Sequence, residues 1–398
     1  MPEGWRWVRL GDVTKVVGGS TPKTGIKEYW NGDIVWITPA DLGKLSTREI
    51  YSSGRKITQL GYESSGAELV PVKTVVMSSR APIGHLGIAA VPLCTNQGCK
   101  SFIPSESIDS VYLYFVLKQA VPELQLLGRG ATFLEISKTQ LENYFIPLPP
   151  LETQRRIAAI LTEQMEAVEK ARKAAEEGLE AARKLTAAHL RAVFESEEAA
   201  TWKIVTIEEI ADTCSGSTPL RSRKDYYNGN IPWVKTGELR DGLIENTEEH
   251  VSAVAIAETS LRLLPVNTLL IAMYGQGQTR GRTGLLAVPA TTNQACFAIL
   301  PNPQRFNPAF LQYWFRFSYS RLRSVSEGRG GNQPNLNGEI LKAERVPLPT
   351  LETQHRIVAE LNAKLEATQA LIRSLEAQLE AIRALPAAIL RRAFSGEL

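Results

Sequence analysis

The chain is poor in the residues that carry redox and metal chemistry. It has 4 Cys and 4 His among 398 residues. Cys94, Cys99, Cys214 and Cys296 form no Cys-x-x-Cys pair, which argues against a zinc ribbon or a thioredoxin-like site. Reduced thiols in a cytosolic protein are expected. His85, His189, His250 and His355 have no second His or Cys at ligand spacing, so no metal site is expected. No Ser-His-Asp order is supported by flanking motifs. No apolar run approaches the length of a membrane span. The opening Met-Pro-Glu-Gly-Trp-Arg-Trp lacks the apolar stretch of a signal peptide. Neither sign of charge dominates. With 45 Lys and Arg against 42 Asp and Glu the net charge is +3, which permits a polyanionic partner without demanding one. What is present is ordinary for a globular protein: 43% apolar and 22% charged residues, at a length that suits two or three domains.

The organising feature is a repeated phrase. Pro147-Leu148-Pro149-Pro150-Leu151-Glu152-Thr153-Gln154-Arg155-Arg156-Ile157 returns as Pro347-Leu348-Pro349-Thr350-Leu351-Glu352-Thr353-Gln354-His355-Arg356-Ile357, 200 residues later. That spacing in a chain of 398 residues is a tandem duplication. The segments before each phrase also match. Trp5, Gly19-Ser20-Thr21-Pro22, Tyr29, Trp36, Thr95-Asn96-Gln97 and Cys99 recur 197 residues on as Trp202, Gly216-Ser217-Thr218-Pro219, Tyr226, Trp233, Thr292-Asn293-Gln294 and Cys296. At Gly128-Arg129-Gly130 against Gly328-Arg329-Gly330 the spacing has become 200, so the second copy carries three extra residues after Cys296. In the first copy, short apolar runs broken by Gly, Pro, Asn and Ser predict strands at Ile34-Val35-Trp36-Ile37, Leu69-Val70, Thr74-Val75-Val76-Met77 and Leu86-Gly87-Ile88-Ala89-Ala90. A helix is predicted from Asp109 to Ala120, capped by Asp109 or Ser110.

Each phrase opens a long helix. Leu361, Leu365, Thr368, Ile372, Leu375, Leu379, Ile382 and Ile389 follow a heptad seam. The equivalent seam, Leu161, Met165, Val168, Arg172, Ala175, Leu179, Ala182 and His189, is weaker, and its small residues suit a large-facing-small pairing. Roughly 33 residues at 1.5 Å rise give helices roughly 50 Å long. Antiparallel pairing is expected, because parallel pairing would force the second globule to span the whole rod. The two similar globules would then be related by a pseudo-two-fold axis, which matches the symmetry of duplex DNA.

These phrases, with the closing Leu385-Pro386-Ala387-Ala388-Ile389-Leu390-Arg391-Arg392-Ala393-Phe394, resemble the specificity subunit of type I restriction-modification enzymes over essentially the whole chain. The resemblance implies two target recognition domains, each reading half of a split DNA sequence. It implies helices that set the gap and dock two methyltransferase subunits, with motor-nuclease subunits in the full complex. Inserting helical residues after Ile157 should therefore change the gap and leave the half-sites unchanged. S-adenosylmethionine, and ATP with Mg, belong on the partners. This chain is expected to be non-catalytic and to need no cofactor of its own.

Two copies of one scaffold should agree where they fold and differ where they read. By that criterion Thr95-Asn96-Gln97 and the Gly-Ser-Thr-Pro turns are scaffold or phosphate contacts. The divergent windows supply the candidate DNA contacts: Lys23 and Lys27 against Arg221, Arg223 and Lys224; Thr38 against Lys235; Arg80 and His85 against Tyr274, Gln276, Gln278, Arg280 and Arg282; and Thr132 against Asn332 and Gln333. Arg suits guanine and Gln suits adenine. Arg129 and Arg329, present in both copies, suit phosphate clamps. The Gly275–Arg282 string lacks a P-loop Lys-Ser/Thr, and Asn307-Pro308-Ala309-Phe310 lacks the second Pro of an amino-methyltransferase motif. Asn307 instead suits a helix cap with Pro308 as first helical residue. His189 suits a packed seam position. Most helix charges suit a solvated face.

The expectation is an α+β chain: two α/β target recognition domains, residues 1–146 and 196–346, joined by two long antiparallel coiled-coil helices, 147–195 and 347–398. Leu161, Met165, Val168, Leu179, Leu361, Leu365, Ile372, Leu375, Leu379 and Ile382 would pair the helices. The expected partner is double-stranded DNA, with no membrane. A coiled-coil scaffold whose globules bind proteins is the alternative, and a self-sufficient methyltransferase is argued against by its missing motifs.

Overall fold

The structure is a computed structural model, and it describes residues 3–128, 135–275, 277–327 and 336–397. The chain forms two compact units. Unit 1 is Met1–Glu176 with Ala377–Leu398, and unit 2 is Glu177–Glu376. The boundaries fall inside the long helices, so each unit contains one globule and a length of both helices.

In unit 1 the strands are β1 (Arg6–Arg9), β2 (Thr14–Gly18), β3 (Trp30–Ile37), β4 (Glu49–Ile50), β5 (Arg55–Ile57), β6 (Val75–Ser78), β7 (Leu86–Ala89), β8 (Leu93–Thr95), β9 (Cys99–Pro104) and β10 (Phe145–Leu148). A five-stranded sheet runs β2-β9-β6-β7-β4, and a three-stranded sheet runs β5-β3-β8. The pairs β4–β7 and β3–β8 are parallel. The terminal pair β1–β10 is antiparallel and closes the globule just before Pro149. Leu69-Val70, expected as a strand, contributes only an isolated bridge from Val70 to Leu93.

Unit 2 repeats this plan strand for strand: β11 (Lys203–Thr206), β12 (Thr213–Ser215), β13 (Ile231–Val234), β14 (Gly242–Ile244), β15 (His250–Val251), β16 (Leu269–Ala272), β17 (Thr283–Leu286), β18 (Thr291–Thr292), β19 (Cys296–Ile299) and β20 (Arg345–Leu348). Its sheets run β12-β19-β16-β17-β14 and β15-β13-β18, with β11–β20 as the closing pair. The central strands β6 and β16 are buried throughout, as the apolar runs Val75-Val76-Met77 and Leu269-Leu270-Ile271-Ala272 suggest.

A helix packs against each larger sheet. In unit 1 it is Ser110–Leu127, with Asp109 as N-cap accepting from the amides of Val111 and Tyr112. In unit 2 it is Pro308–Phe317 followed by Tyr319–Glu327. Asn307 caps it, and Pro308 is its first residue. The three extra residues of the second copy are now placed. The loop before the cap is 105–108 in unit 1 and 302–306 in unit 2, and the helical stretch after it is 110–127 against 308–327. That is one residue in the loop and two in the helix, where the second copy breaks at Ser318.

The long helices are Leu151–Phe194 (44 residues) and Leu351–Ser395 (45 residues), the second passing through Pro386. At 1.5 Å rise they are about 66 Å long, longer than the seam alone predicts, because helix begins directly after each Pro-x-Leu step. Their pairing is antiparallel within each unit. In unit 1, Glu176 lies 3.6 Å from Arg383, and Ile157 and Leu161 share a core with Leu390 and Ala393. In unit 2, Arg183 pairs with Glu376 at 2.8 Å, and His189 Nε2 lies 3.2 Å from Thr368 Oγ1. Of the predicted pairing residues, Leu161, Leu179, Leu361, Leu365, Leu379 and Ile382 are buried. Met165, Val168, Ile372 and Leu375 are half-buried.

The glutamine of each phrase ties its long helix to the globule. Gln154 is fully buried. Its Oε1 accepts from Asp109 N at 2.9 Å, and its Nε2 donates to Ser107 O at 3.0 Å and Pro149 O at 2.9 Å. Gln354 accepts from Asn307 N at 2.7 Å and donates to Pro349 O at 2.9 Å. One side chain thus satisfies the amide of the residue that caps the core helix and locks the turn that starts the long one.

Candidate nucleic-acid interface

The parts common to both copies hold one another. Thr21 Oγ1 donates to Gln97 Oε1, and Thr218 Oγ1 to Gln294 Oε1. The indole of Trp36 donates to Ser20 O at 3.0 Å, and that of Trp233 to Ser217 O at 3.1 Å. Asn96 and Asn293 spend their side-chain oxygens on the turn amides of Gly98 and Ala295. Glycine is required where the two turns meet: a Cβ on Gly19 would sit 2.0 Å from Asn96 O, and one on Gly216 2.0 Å from Thr292 O. The shared motifs are therefore scaffold. The variable side chains are mounted around them.

Beside the Gly-Ser-Thr-Pro turn each unit carries an aromatic platform with a guanidinium on it. In unit 1, Trp30 and Trp36 meet edge to face at 5.1 Å, and Arg55 lies over Trp30 at 3.5 Å. The Trp30 indole donates to Lys23 O at 3.3 Å, which places exposed Lys23 beside the platform. In unit 2, Tyr227 and Trp233 form the platform, and Arg221 lies 4.7 Å and 5.0 Å above their rings. Glu249 grips Arg221, and it also takes Lys235 Nζ at 2.9 Å, with Glu248 at 3.2 Å from the same ammonium. The bonds to Arg221, then Lys235, hold the Glu249 carboxyl below its usual range, and the Glu249 bond raises Lys235. Arg223 is paired separately, with Asp225 at 2.6 Å and Glu258 at 3.2 Å. Lys27 and Lys224 are exposed at the starts of the short turns Lys27–Tyr29 and Lys224–Tyr226.

Thr38 uses its hydroxyl locally. It is the N-cap of Pro39–Leu42 and forms a capping box with Asp41. Lys235 occupies the matching place, with its amide donating to Glu238 at 2.7 Å. Arg80 lies near Thr38: a Cβ on Gly98 would be 3.0 Å from Pro39 and 3.1 Å from Arg80 Nε. Arg80 faces Glu135 at 3.8 Å, and Glu135 also faces the mostly buried Lys100 at 3.6 Å. His85 packs toward Gly43.

The 274–282 loop of unit 2 does not offer all its residues. Tyr274 and Gln278 are exposed. Arg282 is half-buried, pairs with Asp241 and lies 5.0 Å above Tyr319. Arg280 is only 5% exposed, so the expectation that it meets DNA does not fit this conformation: the loop packs it inward. Tyr319 OH donates to Gln278 O at 2.7 Å, and Arg323 Nη1 to Arg280 O at 3.3 Å, fastening the loop to the helix Tyr319–Glu327. Arg129, Thr132, Gln276, Arg329, Asn332 and Gln333 lie outside the described residues.

Two residues absent from the divergent windows belong to these clusters: Arg55 lies over Trp30, and Glu249 holds Arg221 and Lys235. Their signal was hidden by register. The copies are spaced 197 residues apart at Trp36 and Trp233 but 194 apart at Ile50 and Ile244, where each pairs with the equivalent strand residue, Ala89 or Leu286. The spacing returns to 197 only after β6 and β16, because the following loop is three residues longer in the second copy.

Among the described residues no group of three or more His, Cys, Asp or Glu could hold a metal ion, and no helix is long and apolar enough to cross a membrane. Burial pushes the thiols of Cys94 and Cys99 up to about 11 and about 12. Thiols so raised are unreactive at neutral pH.

Comparison with known proteins gives one answer. The family model described as the type I restriction modification DNA specificity domain matches residues 2–177 and again 199–381. A curated relative, the type I restriction enzyme MjaIX specificity subunit of Methanocaldococcus jannaschii, is 27% identical over 94% of this chain and 90% of its own. A chain solved in work on assembly and conformational transition of the type I R-M system superposes with TM-score 0.77 at 22% identity, covering 100% of this chain and 99% of that one. The HsdS subunit of Thermoanaerobacter tengcongensis superposes with TM-score 0.70 at 23% identity, covering 100% and 98%. At these identities the two structures speak for the fold.

Proposed function

The chain belongs to the type I restriction modification DNA specificity family, and from that premise we propose that it is the sequence-specific DNA-recognition subunit of a type I restriction-modification complex. Each globule reads one half of a bipartite, asymmetric duplex target. The carrying observation is that two units share one strand order and matching indole hydrogen bonds from Trp36 and Trp233, yet mount different side chains around them. A scaffold held constant under a variable surface is what two different half-sites on one chain require.

The candidate contacts divide by chemistry. Lys23, Lys27 and Lys224 are exposed cations suited to phosphate, which gives affinity that falls with salt. Arg80, Arg282, Gln278 and the platform residues are held by neighbours in defined orientations, as base readout needs. In unit 2 the carboxylates on Arg221, Arg223 and Lys235 also keep those cations from gripping any polyanion indiscriminately.

The long helices set the distance between the half-sites. The catalytic work falls to partners: methyltransferase subunits, which carry S-adenosylmethionine and flip the target base, and restriction-translocase subunits, which use ATP with Mg. This chain contributes no catalytic group and acts in the cytoplasm.

The test is binding of the chain with its methyltransferase subunits to duplex DNA of varied sequence. Salt-dependent binding to one bipartite duplex, lost when either half is scrambled, is expected. Equal binding to all duplexes would overturn the proposal.

A further inference from the structure

Arg55 in unit 1 and Glu249 in unit 2 occupy one place on one scaffold. Ser53 Oγ accepts from Trp36 N at 3.1 Å and donates to Arg55 O at 2.6 Å. Thr247 Oγ1 accepts from Trp233 N at 3.1 Å and donates to Glu249 O at 2.6 Å. The residue before each is pinned alike: Gly54 N donates to Asp41 at 3.0 Å, and Glu248 N to Glu238 at 2.8 Å. Thr58 and Ser252 then cap equivalent helices, Gln59–Glu63 and Ala253–Glu258. The backbone is the same, and the side chains carry opposite charge.

That reversal decides between two roles. A residue that positions the DNA backbone meets a phosphate whatever the sequence, so its sign should be kept between copies. A carboxylate there would repel the phosphate that an arginine attracts. A residue that reads a base edge has no such constraint. Arg55 also has the form of a reader. Its guanidinium carbon lies 3.5 Å from the centroid of the Trp30 ring, its side chain is exposed, and it makes no ion pair among the described residues. A guanidinium held over an indole is restrained yet keeps N–H donors for a further partner, and its planar fork is the group that matches guanine O6 and N7. Glu249 fills the equivalent place differently, by fixing Arg221 and Lys235.

We propose that this position determines specificity in both halves: Arg55 reads a guanine in one half-site, and Glu249 sets the other by orienting Arg221 and Lys235. The inference rests on the function proposed above and adds to it which residues discriminate. It also separates Arg55 from the lysines around it, which hold phosphate.

The experiment uses the intact complex with its methyltransferase subunits acting on a library of duplexes with randomised sequence, followed by sequencing of the methylated molecules. R55K keeps the charge and removes the planar fork. It should lower discrimination at one position of one half-site by roughly tenfold or more, with the other half-site unchanged. E249Q should relax the other half-site alone. The untouched half-site in each variant reports that the chain is folded. The inference is overturned if R55K leaves both half-sites as they were, or if it lowers methylation of all sequences equally, as loss of a phosphate contact would. A wild-type complex that selects no bipartite sequence would overturn the proposed function, and this inference with it.

Discussion

The two units share a plan, and they differ where the end of a long helix meets the globule. In unit 2, Phe194 sits within 5.3 to 6.4 Å of four rings, those of Trp202, Phe310, Trp314 and Phe317. In unit 1 the equivalent Phe394 has one ring neighbour among the described residues, Tyr112 at 5.7 Å. Val116 and Gln119 stand where unit 2 has Trp314 and Phe317. The space they leave is a groove of about 930 Å³, lined by Trp7, Val116, Gln119, Phe145 and Phe394 among others. The same strand order is compatible with a filled and an unfilled junction, so the topology does not depend on the aromatic plug. The plug is a stability term that one copy has and the other lacks.

The largest expected effect follows from that contrast. F194A should destabilise unit 2 by about 3–5 kcal/mol, the usual cost of emptying a packed aromatic site. F394A, at the edge of a groove already open, should cost unit 1 clearly less. Hydrogen exchange resolved by peptide across each unit measures the two separately, and equal losses would remove the distinction. Next in size is the glutamine tie. Q154A leaves the amide of Asp109 without its partner and should cost about 1–3 kcal/mol. Q354A should cost less, because Gln354 makes one bond fewer. Denaturant unfolding of both variants checks the order. Grafting the plug into unit 1 with V116W and Q119F should raise its stability by about 1–2 kcal/mol through apolar burial, read by the same exchange experiment. The smallest effect is electrostatic. Glu249 has its carboxyl held low by Arg221 and Lys235, so the clamp is intact at neutral pH and is lost only as pH falls through that lowered value. The exposed groups make its stability contribution slight. DNA binding measured against pH should change in wild type below the usual glutamate range, and E249Q should remove that change.

Much of this was legible in the sequence. The duplication and the Asn307 cap follow from spacing and capping chemistry, which are local patterns, and the antiparallel helices follow from the order of globules and helices along the chain. The length of the helices was underestimated, since the seam does not show how far helix continues before its first apolar contact. The platforms were missed for a different reason. Thr38 and Lys235 can be aligned by eye, but Arg55 and Glu249 cannot, because a three-residue deletion between Leu42 and Ile50 shifts them out of the common spacing. Strand register at Ile50 and Ile244, with the matching bonds of Ser53 and Thr247 to Trp36 and Trp233, shows that they coincide. A Gly-rich string suggests an open loop, whereas Tyr319 and Arg323 fasten this one down and Arg280 is packed inward in this conformation.

The central claim is that the two units are separate readers whose spacing the long helices determine. Inserting seven residues, two helical turns that keep the heptad faces aligned, into both long helices, after Glu176 and after Glu376, tests it most directly. Each insertion adds roughly 10 Å of helix, about three base pairs of duplex at 3.4 Å each. Sequencing the sites methylated by the complex should then show both half-sites unchanged and the gap between them longer by about that amount. An unchanged gap, or an altered half-site at an unchanged gap, would contradict the account.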